Sequence, residues 1–190
     1  MSRLAIFIDG AYLDYLLRDQ FANARVDFAA LSQTITRVIG DRTSGGIDLL
    51  RTYYYHCLPY QSNPPTQAES DRFGRMRGFV SNLERIPRFQ VRLGRLAYRG
   101  NRADGSPIFE QKRVDMLLGV DLALLTAKQQ ITHAALLAGD SDFLPAIDAA
   151  KPQGVLLWLF HGRDPHYELW DSVDEQTEIT RELIEQVRRV

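Results

Sequence analysis

Short apolar runs alternate with helix-forming segments along most of this chain, and that alternation narrows its folds more than any other feature. "RLAIFID" (3–9) is a β-type run that feeds "GAYLDYLLRD", where Tyr12, Leu13, Leu16 and Leu17 recur at helical spacing. Asp27 reads as the N-cap of a helix over 28–40 that ends on Gly40. "DLLRTYYYHC" (48–57) is rich in β-formers, and after the loop 58–67 a capping box of Thr66 and Glu69 predicts a helix to about Glu84. Residues 89–110 read as a hairpin on a sheet edge. "RFQVRLGRLAYRG" (88–100) alternates up to Gly94, where a bulge is expected to shift the phase, and "NRADGSP" (101–107) has turn composition. "KRVDMLLGVDLALLTAKQQ" (112–130) is the longest helical pattern. A buried strand at 134–138, a helix at about 143–150, the strand "GVLLWLF" (154–160) and an amphipathic helix at about 173–190 follow. The series predicts a three-layer α/β fold with a mostly parallel sheet.

At 190 residues and 45% hydrophobic content, one domain over 1–190 is expected, with a basic elaboration at about 59–110. No apolar run approaches the roughly 20 residues of a membrane helix, so no membrane partner is expected. The N-terminus lacks the features of a secretory signal, and Cys57 has no cysteine to pair with, which together point to the cytoplasm. Net charge is −1, yet 72–113 carries eleven Lys/Arg against Glu84, Asp104 and Glu110. Of 23 cations in the chain only Lys112, Lys128 and Lys151 are lysines, and the arginine fork suits phosphate. A solvated face on an arginine-rich background explains the pattern equally well. Arg92, Arg95, Arg99 and Arg113 are the candidate substrate contacts, with Tyr98 available to stack on bases. The tyrosine run 53–55 reads as core packing.

In an open parallel sheet, ligands bind beyond the carboxyl ends of the strands, above all where the strand order reverses. The first strand ends in Asp9-Gly10, and the strand at 134–138 runs into "GDSDF", which places Asp140 and Asp142 around Ser141. Asp115 lies in the first turn of the 112–130 helix beside Lys112 and Arg113. If the two strands are neighbours, Asp9, Asp140 and Asp142 share one small volume, and Asp115 joins them if its helix starts at that edge. Crowded carboxylates need a compensating cation, and oxygen-only ligands favour Mg²⁺ or Mn²⁺. His56, His133, His161 and His166 show no zinc-ligand spacing. Each acid also has a structural reading. Asp142 is placed to cap the 143–150 helix with Pro145 in its first turn, Asp9 can cap the helix after Gly10, and Asp115 can favour its helix N-terminus. Asp121 is expected in the outer shell or at the surface.

"AIFIDGAYL" (5–13), "KRVDMLLGVDLALL" (112–125) and "LLAGDSDFLPAI" (136–147) resemble, in order and spacing, the signature blocks of the NYN domain family, PIN-like metal-dependent ribonucleases that include the LabA-like proteins. The resemblance implies a Rossmann-like PIN fold with a metal site at Asp9, Asp115 and Asp140, and Asp142 as a fourth member. It implies cleavage of single-stranded or structured RNA with one or two Mg²⁺ or Mn²⁺ ions. Lys112 is read as neutralising a phosphate oxygen or pairing with Asp115, and Ser141 as binding phosphate or shaping its turn. Many family members carry Asn where this chain has Tyr12, so that amide's hydrogen bond is absent or replaced.

The alternative function is a non-catalytic RNA-binding or regulatory module on the same fold. A haloacid-dehalogenase-type phosphoryl transferase is disfavoured because Ala11 stands two residues after Asp9. A receiver domain is disfavoured because "GVLLWLFHGRD" supplies no lysine at its strand end. Trp158, Trp170 and the C-terminal helix are read as core or interface, which leaves a homodimer open.

Overall fold

The computed structural model describes residues 1–105 and 107–189, with the backbone alone at Pro107, Glu110, Gln111 and Lys112. The chain order is β1 (Ser2–Asp9), α1 (Gly10–Gln20), α2 (Phe28–Gly40), β2 (Ile47–Cys57), α3 (Gln67–Leu83), β3 (Phe89–Asn101) and β4 (Pro107–Lys112). It continues with α4 (Val114–Ala127), β5 (His133–Leu137), α5 (Leu144–Ala150), β6 (Leu156–His161), α6 (Tyr167–Ser172), β7 (Glu175–Glu178) and α7 (Arg181–Gln186). The strands form one sheet in the order β4-β3-β2-β1-β5-β6-β7, parallel except for the antiparallel β3–β4 pair. From β1 the order runs outward through β2 on one side and β5 on the other. The switch point therefore lies between β1 and β5.

Both sheet faces are covered, as the long apolar strand runs require. On one face Ile6, Ile8 and Tyr54 pack with Leu13 and Leu16 of α1, Leu31 and Ile35 of α2, Leu83 of α3 and Leu183 of α7. On the other, Phe7, Tyr53 and Tyr55 pack with Leu118 and Leu122 of α4, Ile147 of α5 and Leu169 of α6. The tyrosine run 53–55 is therefore core on both sides, each ring taken by the face its strand position dictates. Helix starts also follow local chemistry. Asp27 accepts from the Ala29 and Ala30 N–H groups, and Thr66 and Glu69 form the reciprocal capping box.

Three expectations are corrected. The 112–130 helix begins at Val114, because Lys112 ends β4 and Arg113 turns the chain with φ +76°. The expected C-terminal helix at 173–190 is instead β7 followed by the short α7. Asp174 accepts from the Leu157 N–H, Ile179 donates to the His161 carbonyl, and Thr177 accepts from the Trp158 indole N–H, so edge pairing overrides the helical pattern. The expected phase shift at Gly94 does not occur. β2–β3 pairing runs to Cys57 opposite Gly94, and the irregularity falls later, between Tyr98 and Asn101. Beyond Gly94 only β4 pairs with β3, so the two strands rise as an arm past the carboxyl edge of the sheet. Among the described residues no helix is long and apolar enough to cross a membrane.

Candidate active site

The carboxyl edge around the switch point carries all four predicted acids. Asp9 is the last residue of β1, and its Oδ1 accepts from the N–H groups of Ala11 (3.0 Å) and Tyr12 (3.2 Å), capping α1. Asp140 lies just past β5, and its Oδ1 accepts from the Asp142 N–H at 3.1 Å. Asp115 sits in the first turn of α4. Asp115 and Asp142 also line one groove of about 460 Å³ between α4 and α5. The expected capping role of Asp142 is corrected. A 3₁₀ turn, Ser141–Phe143, precedes α5, so the cap lies two residues upstream at Asp140 and the Asp142 carboxylate is left exposed.

Electrostatics link the set. Burial pushes the Asp9 carboxyl up to about 6, against the lowering effect of its two backbone hydrogen bonds, and the Asp115 charge adds to the rise. Burial also raises Asp115, with further contributions from Asp140 and Asp142. Asp115 is thus near enough to disfavour the ionisation of Asp9, and Asp140 and Asp142 are near enough to disfavour that of Asp115. His56, on β2 beside the Asp9 strand, works the other way and lowers the Asp9 pKa. Its Nδ1 accepts from the Cys57 N–H, which leaves Nε2 to donate to Asp14 at 3.1 Å. His56 has no zinc-ligand spacing in the sequence, and the signal for it is its place near the end of β2, the strand next to β1.

The other predicted residues divide. Ser141 opens the 3₁₀ turn between the two acids, and Arg113, exposed and in the left-handed region, stands at the start of α4. Arg95 and Arg99 are exposed on the arm. The Lys112 side chain lies outside the described residues, but its backbone ends β4, so the helical spacing to Asp115 expected for it does not apply. Arg92 is committed elsewhere. Its Nε donates to Asp121 Oδ2 at 2.8 Å and its Nη2 to Oδ1, while the Tyr55 hydroxyl donates to Oδ2 at 3.0 Å. Asp121, expected in an outer shell or at the surface, is buried as the anchor of this network.

Tyr12 takes up the space over the β5 exit. Its hydroxyl accepts from the Gly162 N–H at 2.9 Å, and its ring lies so close to Gly139 that a Cβ there would come within 2.2 Å of it. Gly139→Ala must therefore displace Tyr12 or the backbone that carries Asp140. The expected result is a loss of about 1–3 kcal/mol in a urea titration, the usual range for overpacking, and in a Tyr12→Ala background, itself destabilised by the lost ring and its hydrogen bond, adding Gly139→Ala should cost little more.

Among the described residues no three Asp, Glu, His or Cys side chains are grouped tightly enough to ligate one ion directly. The donor chemistry nevertheless fits a hard divalent cation. All four groups are carboxylates, their mutual repulsion favours a cation between them, and Mg²⁺ is commonly held by one or two carboxylates with water completing its shell.

No curated protein and no solved structure matches the chain. The family model of the NYN domain matches residues 3–180, which takes in every strand of the sheet and all four acids. Nearly the whole chain, from β1 to the residues just past β7, belongs to the NYN domain family of PIN-like nucleases.

Proposed function

We propose that this protein is a divalent-metal-dependent ribonuclease that hydrolyses RNA phosphodiester bonds at Asp9, Asp115, Asp140 and Asp142. The observation that carries the reading is the convergence of these acids on one sheet edge at the switch point, with Asp115 electrostatically coupled to Asp9, Asp140 and Asp142. Mg²⁺ or Mn²⁺ bound there supplies water activation and charge neutralisation at the phosphorus. Asp9 and Asp115, the more buried pair, are assigned to holding the cation. The exposed carboxylates of Asp140 and Asp142 are placed to accept the proton of the attacking water. Arg113 and Arg95 hold phosphates on either side, and Ser141 offers a hydroxyl to a phosphate oxygen. The exposed Arg95, Arg99 and Arg113 would serve equally in the second reading, an RNA-binding module without turnover.

The test is cleavage of end-labelled single-stranded RNA by wild type and Asp140→Asn in EDTA, Mg²⁺ and Mn²⁺, with single-stranded DNA alongside. Wild type should cut RNA only with metal, and the folded variant should not. RNA bound without turnover would move the protein to the second reading. Binding should also weaken with salt by roughly 0.7 log unit per log unit for each phosphate contacted.

A further inference from the structure

Tyr98 and Phe109 face each other across the β3–β4 pair, and Tyr60, from the loop after β2, closes on both. Ring centroids lie 6.0 Å apart for Tyr98–Phe109, 5.9 Å for Tyr60–Tyr98 and 5.1 Å for Tyr60–Phe109. Clustered aromatics are usually core, but Tyr98 is 47% and Phe109 39% exposed. They lie on the part of β3 and β4 that extends beyond the rest of the sheet.

Strand alternation fixes which way the cluster faces. Arg92 reaches Asp121 on α4, Leu96 packs on the core of the same face, and Tyr98 follows in phase. The rings therefore look over the α4 side of the arm. Tyr98 lies three residues beyond Arg95, which pairs with Lys112, so the cluster stands roughly 10 Å along the arm from the strand end that leads into α4 and Asp115. Arg95 and Arg102 are exposed along the arm.

We propose that Tyr60, Tyr98 and Phe109 are a stacking platform for an unpaired nucleobase of single-stranded RNA whose neighbouring phosphate lies at the aspartates. The proposal rests on the ribonuclease reading and adds the substrate's conformation. The exposed arginines give the platform the charge to draw in a phosphate backbone, and the open ring faces receive bases of any identity. A duplex keeps its bases stacked on one another and gains nothing from the platform.

The experiment measures binding of a fluorescein-labelled, non-self-complementary single-stranded RNA, and of its blunt duplex, to proteins carrying Asp140→Asn so that the probe stays intact. Tyr98→Leu keeps an apolar side chain against the cluster but removes the aromatic face, and Tyr98→Phe removes only the hydroxyl that donates to Asn101. Tyr98→Leu should weaken single-strand binding roughly tenfold and leave duplex binding unchanged, while Tyr98→Phe stays within about twofold of its parent. Single-strand affinity unchanged by Tyr98→Leu, while wild type cleaves RNA, overturns the platform and leaves the nuclease standing. Unchanged affinity with a lower sedimentation coefficient overturns it in favour of a second copy on the rings. A wild type that does not cleave refutes the nuclease; the Tyr98 dependence of single-strand binding then still decides for or against the platform.

Discussion

Asp9→Asn is expected to produce a protein that folds more stably than wild type and no longer cleaves RNA. The native Asp9 carboxyl holds its proton to about pH 6, whereas the unfolded group releases it near 3.8. Between those values the folded state binds more protons, so stability falls as pH rises through the window. Above pH 6 the whole penalty of a buried charge is present, at most about 3 kcal/mol for a shift of about two units. An amide oxygen can still accept from Ala11 and Tyr12, but its NH₂ group needs partners of its own. The net gain in EDTA should be about 2 kcal/mol at pH 8 and vanish below pH 4, read from urea midpoints at the two values. Cleavage should fall by about a thousandfold, since several kcal/mol of transition-state stabilisation go with the carboxylate. Equal stability of the two proteins at pH 8 would show that Asp9 is not strained by its burial.

The largest loss of stability is expected at Asp121→Ala. Removing this buried carboxylate leaves the fully buried Tyr55 hydroxyl and the Arg92 fork without their acceptor. Breaking a buried pair costs about 3–5 kcal/mol, and the partial exposure of Arg92, 36% at its side chain, lets it rehydrate and sets the expectation near 3 kcal/mol. In a domain of this size that is a fall of about 10 °C in Tm, readable by calorimetry. Arg92→Ala, which strands the buried Asp121 carboxylate beside the Tyr55 hydroxyl, should cost a comparable amount. If it proved neutral for stability but abolished RNA binding, Arg92 would be a substrate contact after all.

What was legible in the sequence was what local chemistry decides. Apolar period placed β1, β2, β5 and β6, and the Thr66–Glu69 and Asp27 caps placed their helices, because each depends on residues within a few positions. The strand-end positions of Asp9 and Asp140 followed from the parallel topology. Choices made by tertiary partners were not legible. Nothing near Arg92 marks its pairing with Asp121, 29 residues away, and nothing near 175–178 marks a strand, since an edge strand with one glutamate at each end lacks the apolar signal of an inner one. The shift of the cap from Asp142 to Asp140 turns on a single 3₁₀ turn that spacing does not reveal.

The central claim is that carboxylates at this sheet edge promote attack of water on a phosphodiester. The termini of the products test it most directly. RNA cut by the wild-type protein in Mg²⁺ or Mn²⁺ should carry 5′-phosphate and 3′-hydroxyl ends by mass spectrometry, with no cleavage in EDTA. Products ending in 2′,3′-cyclic phosphate and formed equally well in EDTA would mean that the RNA's own 2′-hydroxyl is the nucleophile, and would contradict the assignment of these aspartates.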